Sequence, residues 1–125
     1  MVNEYKDSIN LGKIEVSRKD LRLTEDNTHK FSIERFREIE GQIEDGWRFP
    51  TEEEFRYIHS IWKKLGVLNL ATYSDYWIYG EPKPHPVIDS PSWELYPSVS
   101  INSENLGFED STFSLSLRIR LVRDL

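Results

Sequence analysis

Apolar residues alternate with polar ones over residues 13–17, where Ile14 and Val16 share one side, and this period of two predicts a short strand. Leu21 and Leu23 repeat the signal. Residues 1–12 read as a polar lead-in, and residues 24–30 as a turn. The spacing then changes. Ile33, Phe36 and Ile39 recur every third residue, which predicts a short amphipathic helix over residues 31–40, with Ser32 as N-cap and Gly41 at its end.

A second helix is announced by Gly46-Trp47-Arg48-Phe49-Pro50-Thr51-Glu52-Glu53-Glu54-Phe55. Pro50 holds Phe49 extended, because its ring crowds the preceding residue out of the helical region. Thr51 and Glu54 form a capping box, in which the hydroxyl accepts an orphan helix N–H and the carboxylate reaches back to the cap. Glu52, Glu53 and Glu54 also lie at the positive end of the helix dipole. Phe55, Ile58, Trp62 and Leu65 then line one predicted face, and Gly66 supplies a left-handed cap.

Tyr76, Trp77, Ile78 and Tyr79 suit a strand over residues 75–79. Pro82, Pro84, Pro86 and Pro91 make residues 80–91 an irregular loop. Residues 92–96 and 98–101 read as two short strands broken at Pro97, and residues 102–110 as a polar loop. Over residues 112–123, Phe113, Leu115, Leu117, Ile119 and Leu121 alternate with Ser114, Ser116, Arg118 and Arg120. That pattern predicts one long antiparallel strand with a solvated polar face. Two helices followed by an antiparallel sheet with long loops make an α+β pattern in a single domain over residues 1–125.

Composition narrows the function classes. Aromatics are 13% of the chain and supply a core. A net charge of -6 argues against nucleic acid and anionic membrane surfaces as partners. No window approaches the ~18 apolar residues of a membrane helix. Residues 1–10 lack a signal-peptide-like apolar run, so the chain is expected to be cytoplasmic or excised from an exported protein. The absence of cysteine excludes disulfides, thiolate zinc sites and cysteine nucleophiles. No G-x-S-x-G elbow, P-loop or dinucleotide fingerprint occurs.

The stretch from Gly46 to Phe55 is similar to the GWRLPTEEEF/W motif of formylglycine-generating-enzyme relatives, and of bacterial domains that share their C-type-lectin-like fold. Tyr76-Trp77 resembles the YW pair of that family, and Arg120-Leu121-Val122-Arg123 its closing RLVR strand. These matches fall in the family's order over residues 46–123. The resemblance implies that Trp47, Phe49 and Trp77 are core residues, that Arg48 joins a buried polar network, and that Pro50 and Thr51 direct the second helix. It also implies a copper-binding cysteine pair, which this chain lacks. The iron-dependent sulfoxide synthases of the same fold use a His/His/Glu site. Here His29, His59 and His85 are far apart in sequence, with His59 expected on the polar side of its helix. Calcium-dependent lectins carry Glu-Pro-Asn where this chain has Glu81-Pro82-Lys83, a cation in place of a ligand oxygen. Asn102, Glu104, Asn105, Glu109 and Asp110 offer oxygens without a calcium-loop spacing. No catalytic residue, metal ligand or cofactor is assigned.

The expected function is therefore a non-enzymatic binding or interaction module. Its ligand, a protein or a carbohydrate, is expected on the loops of residues 80–110 through His85, Trp93, Tyr96, Asn102 and Asn105. Against this, Trp93 and Tyr96 also suit core strand positions. The alternatives are a structural or assembly domain of a larger protein or homo-oligomer, and a residual metal-dependent enzyme.

Overall fold

Ile14 and Val16 are buried on one face of β2 (Ile14–Ser17), as their alternation predicts. Strand β2 pairs antiparallel with β1 (Ser8–Asn10) on one side and β7 (Val122–Asp124) on the other. Strand β3 (Trp47–Arg48) closes the far side of β7, giving the order β1-β2-β7-β3. A second antiparallel sheet has the order β4 (Ser74–Trp77), β5 (Leu95–Ile101), β6 (Leu106–Thr112). The computed structural model describes residues 1–66, 68–90, 93–102 and 104–125.

Helix α1 (Ile33–Ile39) begins where Ser32 accepts a hydrogen bond from the Arg35 N–H at 3.0 Å. Gly41 does not stop the chain, because a 3-10 turn (Glu40–Gln42) runs through it. Helix α2 (Glu52–Leu65) carries the expected box. Thr51 Oγ1 accepts from the Glu54 N–H at 3.2 Å, and the Glu54 carboxylate accepts from the Thr51 N–H at 2.8 Å. Gly66 takes φ 66°, the left-handed turn that only glycine enters cheaply, and its N–H donates to the Trp62 carbonyl. Apolar side chains gather in two clusters. One lies by α1 and contains Phe31, Trp47, Trp77 and Ile119. The other lies under α2 and contains Phe55, Ile58, Tyr76, Val99 and Val122.

Several expectations need correction. The N-terminal segment is no mere lead-in: it supplies β1 and the buried Tyr5. The strand of residues 75–79 ends at Trp77, and Tyr79 is exposed. The residues around Pro97 form one continuous β5. Its carbonyl accepts from the Ile78 N–H, so its missing donor faces the β4 side just beyond the last paired residue, Trp77. Proline therefore removes only the reciprocal bond to Ile78, at the end of the ladder. Pro91 of the expected loop, and Ser92, the start of the expected strand at 92–96, lie outside the described residues.

The polar run at 102–110 is mostly β6, an edge strand whose exposed Glu109 and Asp110 are what an edge uses against further pairing. Residues 112–123 do not form one long strand. Only β7 is regular, with isolated bridges joining Leu117 to Phe31 and Arg118 to Tyr76. Leu117, Ile119 and Leu121 are buried as the alternation predicts, Leu115 is exposed, and Arg120 is not solvated but only 1% exposed. On α2 the buried arc is rotated from the expected one. His59 is buried beside Phe55 and Ile58, whereas Leu65, at the last turn, is 66% exposed.

Candidate functional site

The loop after β4 leaves a fixed frame. Trp77 is fully buried, and its Nε1–H donates to the Phe31 carbonyl at 2.7 Å. Two residues on, the Tyr79 N–H donates to the Pro50 carbonyl at 2.7 Å. Gly80 then passes against Pro97, where an added Cβ would come within 2.6 Å of the proline ring, so the close approach demands glycine. At the loop base Lys83 and Leu95 exchange both backbone hydrogen bonds, at 2.8 and 2.7 Å. The Lys83 ammonium faces Asp110 at 3.5 Å. A closed base, with little regular structure among the described residues inside, is the layout of an Ω-type loop, a kind that is often functional.

Inside the loop His85 organises the chain. Its Nδ1 accepts from the Val87 and Ile88 N–H groups at 3.1 and 3.0 Å. Its ring meets Trp93 edge to face, with centroids 6.0 Å apart. The backbone is thus turned by an imidazole, and the apolar side chains are left outside. Val87 is 85% exposed and Trp93 43%.

The five expected contact residues do not form one surface. His85 and Trp93 are brought together. Tyr96 is a packing residue at the start of β5: its ring lies against Trp77 and Phe113, and its hydroxyl accepts from Arg37 Nη2 at 2.8 Å. Asn102 and Asn105 sit at the other end of β5, about 20 Å along the strand at 3.3 Å per residue. Asn102 Oδ1 accepts from the Glu104 and Asn105 N–H groups, so it holds the β5–β6 turn. Beside them a shallow depression of about 480 Å³ includes Tyr73 and Ser100. Tyr73 was not expected from sequence, nor were Val87 and Ile88. The signal for the last pair was an aliphatic dipeptide among prolines with no periodic partner.

Two clusters of charged groups hold the scaffold together. Asp20 accepts from the Tyr76 hydroxyl at 2.8 and 2.9 Å, from Arg118 Nη1 at 3.0 Å, and from Arg120 Nε and Nη2 at 3.0 and 2.8 Å. Arg120 Nη1 also donates to the carbonyls of Ser17, Arg18 and Leu68. Burial, helped by the Asp20 charge, pushes the Tyr76 phenol far above its ordinary range. A carboxylate already held by two guanidinium groups and a phenol is a structural anchor with no free lone pair aimed at a substrate. In the motif segment, Arg48 grips Glu54 with two bonds of 2.6 and 2.8 Å and reaches Asp124 at 2.8 Å. Its hydrogen bonds hold the Glu54 carboxyl below the ordinary range. The histidines stand apart, after the turn at residues 24–26 (His29), on α2 (His59) and in the loop (His85). Among the described residues no three His, Asp or Glu side chains gather closely enough to hold a metal ion.

None of the known family models and none of the curated proteins compared matches this sequence. Among solved structures the chain is similar to EMS16, an antagonist of the collagen receptor integrin alpha2beta1 (GPIa/IIa), at 12% identity and a TM-score of 0.59. The superposition covers 94% of this chain and 97% of that one. With two helices and two antiparallel sheets in the same arrangement over nearly the whole of both chains, the protein has the C-type-lectin-like fold.

Proposed function

We propose that the chain is a non-enzymatic protein-binding module whose contact surface is the loop between Lys83 and Leu95. One observation carries this reading. Val87, Ile88 and Trp93 face solvent from a loop whose base is clamped and whose interior is braced by His85. Apolar side chains on a preorganised loop lose little entropy on binding. Pro84 and Pro86 stiffen it further by fixing φ. Aliphatic side chains at such exposure suit a protein surface better than a sugar, which offers mainly hydroxyls. EMS16, described as an antagonist of an integrin receptor, shows that the fold serves protein recognition in another chain.

The likeness of residues 46–55 to formylglycine-generating-enzyme relatives fits the same reading as scaffold: Thr51, Glu54 and Arg48 fasten α2 to the C-terminus. The lack of cysteine removes the thiolates on which that enzyme chemistry depends. A glycan reading has one observation in its favour, the exposed Tyr73 ring beside Asn102 and Asn105.

The test compares wild type with Trp93→Ala and Val87→Asp in affinity capture with quantitative mass spectrometry, each captured protein then being measured against the purified module. A true partner loses on the order of 30-fold in affinity with Trp93→Ala, the effect of a 2 kcal/mol hot spot. A verified partner that binds both variants like wild type overturns the assignment. So does a glycan array in which binding depends on Tyr73 and ignores the loop.

A further inference from the structure

Helix α2 carries a second apolar stripe that its own fold does not cover. Phe55 and Ile58 face the core, while Tyr57, Ile61 and Leu65 recur every fourth residue along an adjoining face. Tyr57 is 46% exposed, Leu65 is more exposed still, and Ile61 is partly buried. Strand β1 and the turn after it extend the stripe with Ile9 and Leu11, both half-buried. Tyr57 Oη donates to the Leu11 carbonyl at 3.4 Å, so the ring forms a ridge between helix and turn. A cavity flanks it on each side. One of about 610 Å³ is walled by Leu11, Ile14 and Glu53, the other, of about 590 Å³, by Ile9, Ile61 and Leu65. A ridge between two hollows, with the exposed Leu65 on the wall of one of them about two turns along the helix, is a shape that interdigitates with itself.

Charge says what covers it. The first and last turns of this face hold Glu53 and Lys64, both exposed. Among the described residues neither joins an ion pair, whereas Glu52 is paired with Arg56 and Lys63 reaches the Glu104 carbonyl. Eleven residues separate them, about 16 Å along the helix at 1.5 Å per residue, with the midpoint between Tyr57 and Ile61. A two-fold axis through that midpoint, running two copies of α2 antiparallel, sets each Tyr57 against Ile61 of the second copy. It also brings each Glu53 to Lys64 of the second copy, so the one pairing satisfies both charges twice. Leu65 of the second copy then points at the hollow beside Glu53. Ser60, mid-stripe, is small and directs its hydroxyl to its own Tyr57 carbonyl at 2.8 Å, which allows the helices to approach at ordinary packing distance. Self-complementarity of this kind is the mark of an isologous contact.

We propose that the Tyr57–Ile61–Leu65 face of α2 is a homodimer interface, paired antiparallel with the same face of a second copy through reciprocal Glu53–Lys64 contacts. It is separate from the loop surface and stands whether or not that surface binds a protein. The test is sedimentation equilibrium of the full chain across micromolar to millimolar concentration, with circular dichroism confirming each variant's fold. Wild type shows a monomer–dimer equilibrium. Leu65→Asp abolishes it, since an unpaired charge would have to enter the hollow. Glu53→Lys or Lys64→Glu alone weakens dimerisation by about tenfold or more, through like charges at both ends. The double exchange Glu53→Lys/Lys64→Glu restores it to within about threefold of wild type, because the pair is only inverted. A strict monomer throughout overturns the proposal. So does a dimer that survives Leu65→Asp, one that is lost with Trp93→Ala instead, or a double exchange no better than the single reversals.

Discussion

The Asp20–Arg120 cluster and the Lys83–Leu95 loop invert the usual placement of polarity in opposite ways. In the first, charged side chains are buried or half-buried; in the second, aliphatic and aromatic ones are exposed. Each is affordable for a local reason. Arg120 goes inside because Asp20 and four backbone carbonyls accept its protons, so little of its hydrogen-bonding capacity is lost with water. Val87 and Ile88 stay outside because His85 draws their N–H groups inward and turns the side chains away. The cluster joins the segment after β2, the approach to β4 and the C-terminal segment. Among its described residues the loop is tied to the rest at its base, where Lys83 faces Asp110 and the Glu94 carbonyl accepts from the Phe113 N–H. Stability is concentrated in one region and a free surface in the other, and substitutions should separate the two.

The largest effect is expected at Arg120. Arg120→Met leaves the Leu68, Ser17 and Arg18 carbonyls without their donor and Asp20 with less compensation. Removing one partner of a buried pair costs about 3–5 kcal/mol. Urea unfolding measures it, and a loss under about 1 kcal/mol would mean that the cluster does not anchor the fold. Thr51→Ala, which removes the accepting hydroxyl of the capping box, should cost about 1 kcal/mol by the same measurement.

A smaller effect depends on pH. Burial lowers the His59 imidazole below its ordinary value of 6.5. The unfolded chain therefore takes up a proton more readily than the folded one, so the contribution of neutral His59 is complete above 6.5. It is lost as pH falls from 6.5 through the lower folded value. The melting temperature should drop as pH falls below about 6.5, and His59→Gln should flatten that drop. An unchanged slope in the variant would move the effect to another group. The lowered Glu54 carboxyl has the same sign in a more acid window: its contribution is present above 4.5 and is lost below it.

Those residues also show what the sequence makes legible. The segment from Trp47 to Phe55 was readable because its interactions are short in sequence: Thr51 and Glu54 are three apart, and Pro50 acts on its neighbour. Arg120 was misread because its partner Asp20 lies 100 residues away, and an alternating arginine looks the same whether it meets water or a buried carboxylate. His59 was placed outside because α2 meets the sheet along an arc that includes positions 55, 58 and 59, a matter of tertiary docking. Strand β6 read as a loop because an edge strand is allowed charges that a central strand is not. Among the expected contact residues, His85 and Trp93 meet in one loop. Asn105 lies away from them, since β5 carries the chain to the other end of its sheet, a separation that nearness in sequence does not reveal.

The smallest expected change in stability is at Val87, and it decides the comparison most directly. Val87→Asp removes an aliphatic side chain that touches little of its own protein, and leaves the N–H that His85 Nδ1 accepts. The stability change should stay within about 0.5 kcal/mol, as for exposed positions generally. The same substitution places a charge where a partner would have to strip its water, so binding should fall steeply while the melt is unchanged. A marked loss of stability would show that Val87 packs against the fold, and the loop would then belong with the cluster as structure. Stability kept and binding lost would make exposure at this residue a property selected for contact.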